Sequence, residues 1–571
     1  MDVFETKPGM PAPGGPMGGP GGAQAGGPPL PPGMIPVVLP DLDWDHMTLD
    51  WAQYQDKWEL SEDGTYYGLR FVYFATKILS RDHQYMNIYV PAAYLNPDGT
   101  VNENGTCGRY TARTAPVILY NGCGGWMSST PGEARLDYLA EGFVHVSVGA
   151  RSRNGGYVGK APSAAVDQKA AIRMLRLHDA FIPGDKNRAF SCGGSGGGQM
   201  SSVFGASGNM KQYYPYLYEI GAAGIEKNPD GTYTSTINDD VYGSQCYCPI
   251  SDVDHADLAF SWFHFDDPNI SLSDFSFEGE EMHTLSPFRL ALQDDLAQGW
   301  AEYINSIGLE NEQGEPLTFP KKADGTYDLR AGSYYTQYLQ NLSDCLNKFL
   351  KASTYPDGTV HYNALITPFE SEERTYASVD DYLATFKNTD SWLKKNADGS
   401  YTVTSLPAYV QGTGVARGKD TPGFDTFHCT DVNDAFGHGD ERAVHFSTAI
   451  GGILEKNYDR YKTLEEFDRC DVDAYISDVK RADIAEQVYL YNATTILLAK
   501  ARGMEDVQPA RFWRTREGTA DIHSFGIDYD MCMAARLAGA QVDYSLVWGA
   551  GHGDVDGDGT GTFAEWVHSV V

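Results

Sequence analysis

Residues 189–209 read AFSCGGSGGGQMSSVFGASGN, and within them Gly193, Gly194, Ser195, Gly196 and Gly197 fill a G-x-S-x-G pattern directly after a short apolar run. Glycines on both sides of a serine let a chain turn sharply from a strand into a helix, with the hydroxyl exposed and the next backbone N–H left open. The pattern alone also suits a flexible glycine linker. Here residues 187–191 read as a strand and residues 199–206 can start a helix, so the turn is expected to present a nucleophile.

That turn needs a buried strand before it and a helix after it, and the rest of the chain supplies more of both. Apolar runs of strand length fall at 69–76, 85–90, 116–120, 143–148, 188–192, 246–250, 510–516 and 542–548. Helical patterns lie between them, as at 164–181, where Ala165, Ala171, Ile172, Leu175 and Leu177 share the apolar side. Eight strands with a serine turn after the fifth predict an α/β-hydrolase fold, a mostly parallel eight-stranded sheet with helices on both faces. At 571 residues the chain exceeds one simple core. The expected organisation is a Gly/Pro-rich tail (1–36), a first part of the hydrolase core (37–255), an inserted lid domain (256–440) and a second part of the core (441–571). Asp-Gly-Thr/Ser recurs at Asp63, Asp98, Asp230, Asp324, Asp357 and Asp398 at irregular intervals, which predicts hairpin turns rather than a repeat array.

A formal charge of −34 and the absence of any Lys/Arg cluster argue against nucleic-acid or anionic-membrane partners. Residues 1–35 are dominated by Gly and Pro and are expected to be disordered. No apolar leader or membrane-length run is visible. Nine cysteines, an odd number without C-x-x-C spacing, indicate neither a zinc site nor a disulfide framework. Together these favour a cytoplasmic location, with a secreted protein that has lost its leader as the alternative. The oligomeric state is left open.

A serine hydroxyl becomes a nucleophile when a histidine takes its proton and a carboxylate fixes that histidine's tautomer. In this fold the three follow in the order Ser, Asp/Glu, His at strand ends. His552, in VWGAGHGD beyond the last strand, and Asp521, in WRTREGTADIHS beyond the one before, satisfy that order with Ser195. Ser195 and Asp521 are 326 positions apart, which is why an insertion is expected between them. For the oxyanion, one donor is expected from the N–H of Gly196. The other is expected near Gly122 or Cys123, in the Asn121–Gly125 stretch that follows the third strand, where a plain glycine turn is the other reading.

At these residues the chain resembles the bacterial tannases (tannin acylhydrolases), α/β-hydrolases with a large lid domain. The resemblance runs through YMNIYVPAAYL (85–95), VGKAP (158–162), DQKAAIR (167–173), IPGDKNR (182–188), the serine turn with its trailing GASGN, and YCPISDVDHADLAFSW (247–262). It continues through PGFD (422–425), the Phe-Gly at Phe436 and WRTREGTAD (513–521), covering most of residues 70–571. It implies a triad of Ser195, Asp521 and His552. It also implies that Lys419 grips the phenolic hydroxyls of a galloyl group. The family's glutamate has Asp431 or Asp434 in its place, and its second aspartate is replaced by His523. Those departures bring feruloyl, caffeoyl and hydroxybenzoyl esters into competition with galloyl esters. The disulfide that fungal tannases form beside their serine and histidine is not expected, because neither Ser195 nor His552 has a neighbouring cysteine.

Directly after His552, residues 554–565 read DVDGDGTGTFAE, with oxygens at Asp554, Asp556, Asp558, Thr560, Thr562 and Glu565 in EF-hand-type spacing. A structural calcium ion is one expectation from this stretch and an acidic surface turn is the other. No cofactor is expected for the chemistry. The whole predicts a serine carboxylic-ester hydrolase, tannase-like, acting on small phenolic esters. The rivals are a feruloyl/chlorogenate-type or general carboxylesterase, a serine peptidase, and a non-catalytic calcium-stabilised binding module.

Overall fold

The computed structural model describes residues 39–571 apart from 41, 272–281, 368–369, 416, 430, 439–440, 442, 522–525 and 558. The expected tail (1–36), His523 and Asp558 lie outside the described residues. One large sheet organises the molecule: β1 (Glu59–Leu60), β2 (Tyr66–Tyr73), β3 (Tyr85–Pro91), β4 (Pro116–Asn121), β5 (Val144–Val148), β6 (Asp185–Gly194), β7 (Gly243–Tyr247), β8 (Phe512–Gly518) and β9 (Gln541–Val547). Its spatial order is β1-β2-β3-β5-β4-β6-β7-β8-β9. The pairs β1/β2, β2/β3 and β3/β5 are antiparallel, and every pair from β5 through β9 is parallel. This is the expected α/β-hydrolase sheet with a ninth strand at its edge. β1 is two exposed residues, too short and too polar-facing to carry an apolar pattern.

The parallel strands β5, β7 and β8 are buried along their whole length, as parallel strands covered on both faces should be, and antiparallel β3 shows no exposed residue either. Helix α1 (Ser163–Leu177) is buried from Ser163 to Leu175. Helix α2 (Gly196–Ala206) starts at the serine turn and packs against β6 and β7. Between β7 and β8 the chain leaves the sheet for residues 248–511. That stretch holds α3 (Ala256–Phe263), α4 (Pro287–Ile307), α5 (Gly332–Ser353) and short hairpins, then α6 (Ala493–Ala501), which returns to pack on α2. Two further helices follow: α7 (Ile527–Leu537), packed on β8, β9 and α6, and the C-terminal α8 (Phe563–Val570).

The six Asp-Gly-Thr/Ser sites share one geometry. In each, the aspartate Oδ1 accepts the backbone N–H two residues on, at Thr65, Thr100, Thr232, Thr326, Thr359 and Ser400. They are turns that close antiparallel pairs or bridges, consistent with the short-range Asp bond that favours such turns. All nine cysteines are free. Among the described residues no helix is long and apolar enough to cross a membrane.

Candidate active site

Ser195 sits between the end of β6 and the start of α2 with φ 57° and ψ −127°, in the positive-φ backbone that a non-glycine residue adopts only when its surroundings enforce it. The enforcement is visible. Ser195 N–H donates to the carbonyl of Tyr247 at the end of β7 (3.0 Å). A Cβ at position 196 would lie 2.5 Å from both the Cys123 carbonyl oxygen and the Trp126 nitrogen, so only glycine lets the turn approach the loop after β4 this closely. A Cβ at Gly194 would meet Asp554 Oδ1 at 2.0 Å.

The parallel strands deliver the other two groups to the same end of the sheet. Asp521 follows β8 and His552 follows β9. His552 Nε2 lies 2.7 Å from Ser195 Oγ, and His552 Nδ1 lies 2.8 Å from Asp521 Oδ2. Asp521 is fully buried, while the His552 side chain keeps a quarter of its surface exposed. Burial alone pulls the imidazole pKa down, but the adjacent Asp521 charge overrides it and holds His552 well above its ordinary value. Two further buried carboxyls are pushed well above the usual carboxylate range, Glu517 on β8 by burial and the charges of Asp528 and Asp521, and Asp528 on α7 by burial and the charge of Asp521.

The loop after β4 forms a short helical turn, Gly124–Trp126, pressed against the serine turn. Cys123 N–H donates to Asn121 Oδ1 (3.0 Å), so that N–H is directed to its own chain, and Gly124 N–H donates to the Gly122 carbonyl (2.7 Å). Arg153 Nε donates to the Gly125 carbonyl (2.5 Å), and the indole of Trp126 donates to Gln199 Oε1 of α2. These side chains brace the loop, and sequence reading missed them because each contact joins residues far apart in the chain. A second helical turn, Asp431–Ala435, packs on the loop after β4. From it Asp434 accepts Lys160 Nζ (3.3 Å) and the N–H of Asn154 (3.0 Å). Lys419 lies over the Phe424 ring at 4.9 Å. Asp257 of α3 holds that neighbourhood by accepting the N–H groups of Gly423 (2.5 Å), Phe424 (3.1 Å) and Asp425 (3.0 Å).

The acidic loop after His552 does not fit a calcium ion. Asp554 Oδ2 accepts from Tyr120 (3.1 Å), and its other oxygen lies over Gly194. Asp556 accepts from Arg514 (2.7 Å), Tyr247 (3.1 Å) and the N–H of Phe563 (2.8 Å). The Thr560 carbonyl accepts from Arg516 (2.8 Å). Thr562 and Glu565 cap α8 reciprocally, each accepting the other's backbone N–H. Asp554, Asp556, Thr560, Thr562 and Glu565 thus already have donors in the chain itself. Two buried guanidiniums from alternate positions of β8 meet oxygens of this loop, Arg514 at Asp556 and the Gly561 carbonyl and Arg516 at the Thr560 carbonyl. The described part of the loop is an arginine-anchored acidic turn, the other of the two expectations for this stretch.

A family model described as BD-FAE matches residues 108–240. No curated protein matches the chain. Among solved structures, the chain is similar to the tannin acyl hydrolase from Lactobacillus plantarum (25% identity, 88% of this chain and 94% of that one, TM-score 0.68). It is also similar to Fusobacterium nucleatum tannase (25% identity, 88% and 95%, TM-score 0.66). A third likeness is to a tannin acyl hydrolase in complex with ethyl gallate (24% identity, 88% and 94%, TM-score 0.67). The likeness extends over the inserted stretch as well as the sheet, and the chain has the tannase form of the α/β-hydrolase fold.

Proposed function

We propose that Ser195, His552 and Asp521 make this chain a serine carboxylic-ester hydrolase that cleaves esters of phenolic acids through an acyl-enzyme. The chain is a tannase-like ester hydrolase, and the observation that carries the serine mechanism is the unbroken line from Ser195 Oγ through His552 to buried Asp521, with contacts of 2.7 and 2.8 Å. His552 Nε2 takes the Ser195 proton as Oγ attacks the ester carbonyl. Asp521 keeps the other ring nitrogen protonated and stabilises the imidazolium that forms. The oxyanion is received by the N–H of Gly196, the first residue of α2, where backbone donors have no helical partner, and by the N–H of Gly122 in the loop after β4. His552 then protonates the leaving alcohol. It next activates the water that frees the acid.

Residues 256–440 act in this reading as a lid over the strand ends, and Lys419, Asp431 and, beyond the lid, His523 are the residues assigned to acyl binding. The packing of the Asp431–Ala435 turn on the loop after β4 supports that placement. A phenolic acyl group suits the likeness to an enzyme solved with ethyl gallate. The test is a hydrolysis panel of galloyl, feruloyl, caffeoyl, hydroxybenzoyl and short aliphatic esters, with a peptide amide as control. Aromatic esters should be turned over fastest. Faster cleavage of acetate or butyrate esters, or of the amide, would overturn the substrate assignment.

A further inference from the structure

One nucleophilic side chain beside the triad has no part in that chemistry. Cys248 directly follows β7, in the positive-φ region at 35°, and its N–H donates to the Arg516 carbonyl of β8 (2.8 Å). The thiol is buried and donates to the carbonyl of Gly553, next to His552 (3.3 Å). One donor atom each from Cys248, Asp521 and His552 lies within 4.8 Å of the other two.

We infer that Cys248, Asp521 and His552 form a chelating site for a thiophilic divalent cation, zinc or cadmium, and that its occupancy switches off hydrolysis. The three donors come from the ends of three successive parallel strands, β7, β8 and β9, so the sheet itself sets their spacing. Tetrahedral zinc, with bonds of about 2.3 Å to sulfur and about 2.0–2.2 Å to nitrogen and oxygen, wants ligand separations of roughly 3.3–3.8 Å. Closing the group around an ion therefore takes a shift of about an ångström or less at each side chain. Thiolate with imidazole and carboxylate selects soft or borderline cations over magnesium and calcium. A water completes the fourth position, as in three-ligand zinc sites. On binding, the Cys248 thiol gives its proton to solvent and the sulfur pair forms the metal bond. The neutral imidazole gives a nitrogen lone pair and Asp521 gives a carboxylate oxygen, and nothing is oxidised or reduced. The carboxylate no longer orients the imidazole, which is fixed on the metal and unable to serve as base for Ser195. This is the reverse of the loop at 554–565, which looks metal-binding in sequence and has its described oxygens on donors of the chain itself.

Binding is independent of the esterase reading, whereas inhibition rests on it, so the two are measured separately. Cadmium is titrated into the Ser195→Ala protein, which cannot turn over ester, and the ultraviolet sulfur-to-cadmium charge-transfer band is recorded. One equivalent should give a band that is missing in Ser195→Ala combined with Cys248→Ser; the same band in both proteins, or in neither, overturns the site. In the second arm, zinc inhibition of ester hydrolysis is expressed against each protein's own metal-free rate. The half-inhibitory zinc concentration should rise by about tenfold or more in Cys248→Ser or Cys248→Ala. Equal inhibition of all three proteins overturns the switch. If neither cysteine variant folds, anomalous scattering from a zinc-soaked wild-type crystal decides. A peak within bonding distance of Cys248 Sγ supports the site, and a zinc ion elsewhere or none rejects it.

Discussion

The serine turn at 193–197 and the acidic loop at 554–565 both match short consensus patterns, and they meet where Asp554 lies over Gly194. They end up chemically opposite. At the serine turn the backbone is held in an unfavourable conformation and the Ser195 hydroxyl meets His552. In the acidic loop the described motif oxygens are tied down by Tyr120, Arg514, Arg516 and the cap of α8. A motif thus describes donors and spacing. Whether those donors are available depends on what the rest of the fold brings against them.

The contrast can be broken at either end. The largest effect is expected at the serine turn: Ser195→Ala should lower kcat by about 10⁴-fold or more, with an unchanged melting curve. Asp521→Asn should cost about 10³–10⁴-fold, because the wrong imidazole tautomer is then held. The pH profile sharpens this. His552 acts as base only when neutral, so with its pKa raised by Asp521 the acid limb of kcat/KM should lie above the ordinary histidine value. In Asp521→Asn the limb should move to lower pH, since the main charge that opposes burial is then gone. An acid limb that stays in place would detach Asp521 from His552.

In the acidic loop the effects should be on stability. Arg514 is fully buried against Asp556, which is a quarter exposed. Removing the guanidinium in Arg514→Leu should destabilise by about 3 kcal/mol in denaturant unfolding, because the acceptors it served are stranded. Thr562→Ala, which removes half of a reciprocal cap, should cost about 1 kcal/mol. The smallest effect is the most pointed. Adding calcium, or a calcium chelator, should leave the melting temperature where it was, and a clear rise with calcium would restore the EF-hand reading.

The sheet was legible because its strands are buried on both faces and read as continuous apolar runs. The first strand, Glu59–Leu60, was not, since a two-residue exposed edge carries no periodicity. Ser195, Asp521 and His552 could be named together because chain order in this fold assigns each to a strand end. Cys248 could not be placed beside them. It meets Gly553 across 305 positions, and no local pattern encodes that contact. The donors that meet the acidic loop were hidden for the same reason, as Arg514 and Arg516 approach it from a neighbouring strand. A trace was present in WRTREG, where arginines at alternate positions of a buried strand must find carboxylates or carbonyls to face.

The central claim is that Ser195 is the nucleophile, and covalent labelling tests it most directly. After treatment with a serine-reactive fluorophosphonate, digestion and mass spectrometry should find one adduct, on the peptide containing Ser195. It should be absent from Ser195→Ala and strongly slowed in a variant lacking the His552 imidazole. A folded wild-type protein that takes no label, or takes it on another residue, would contradict the account.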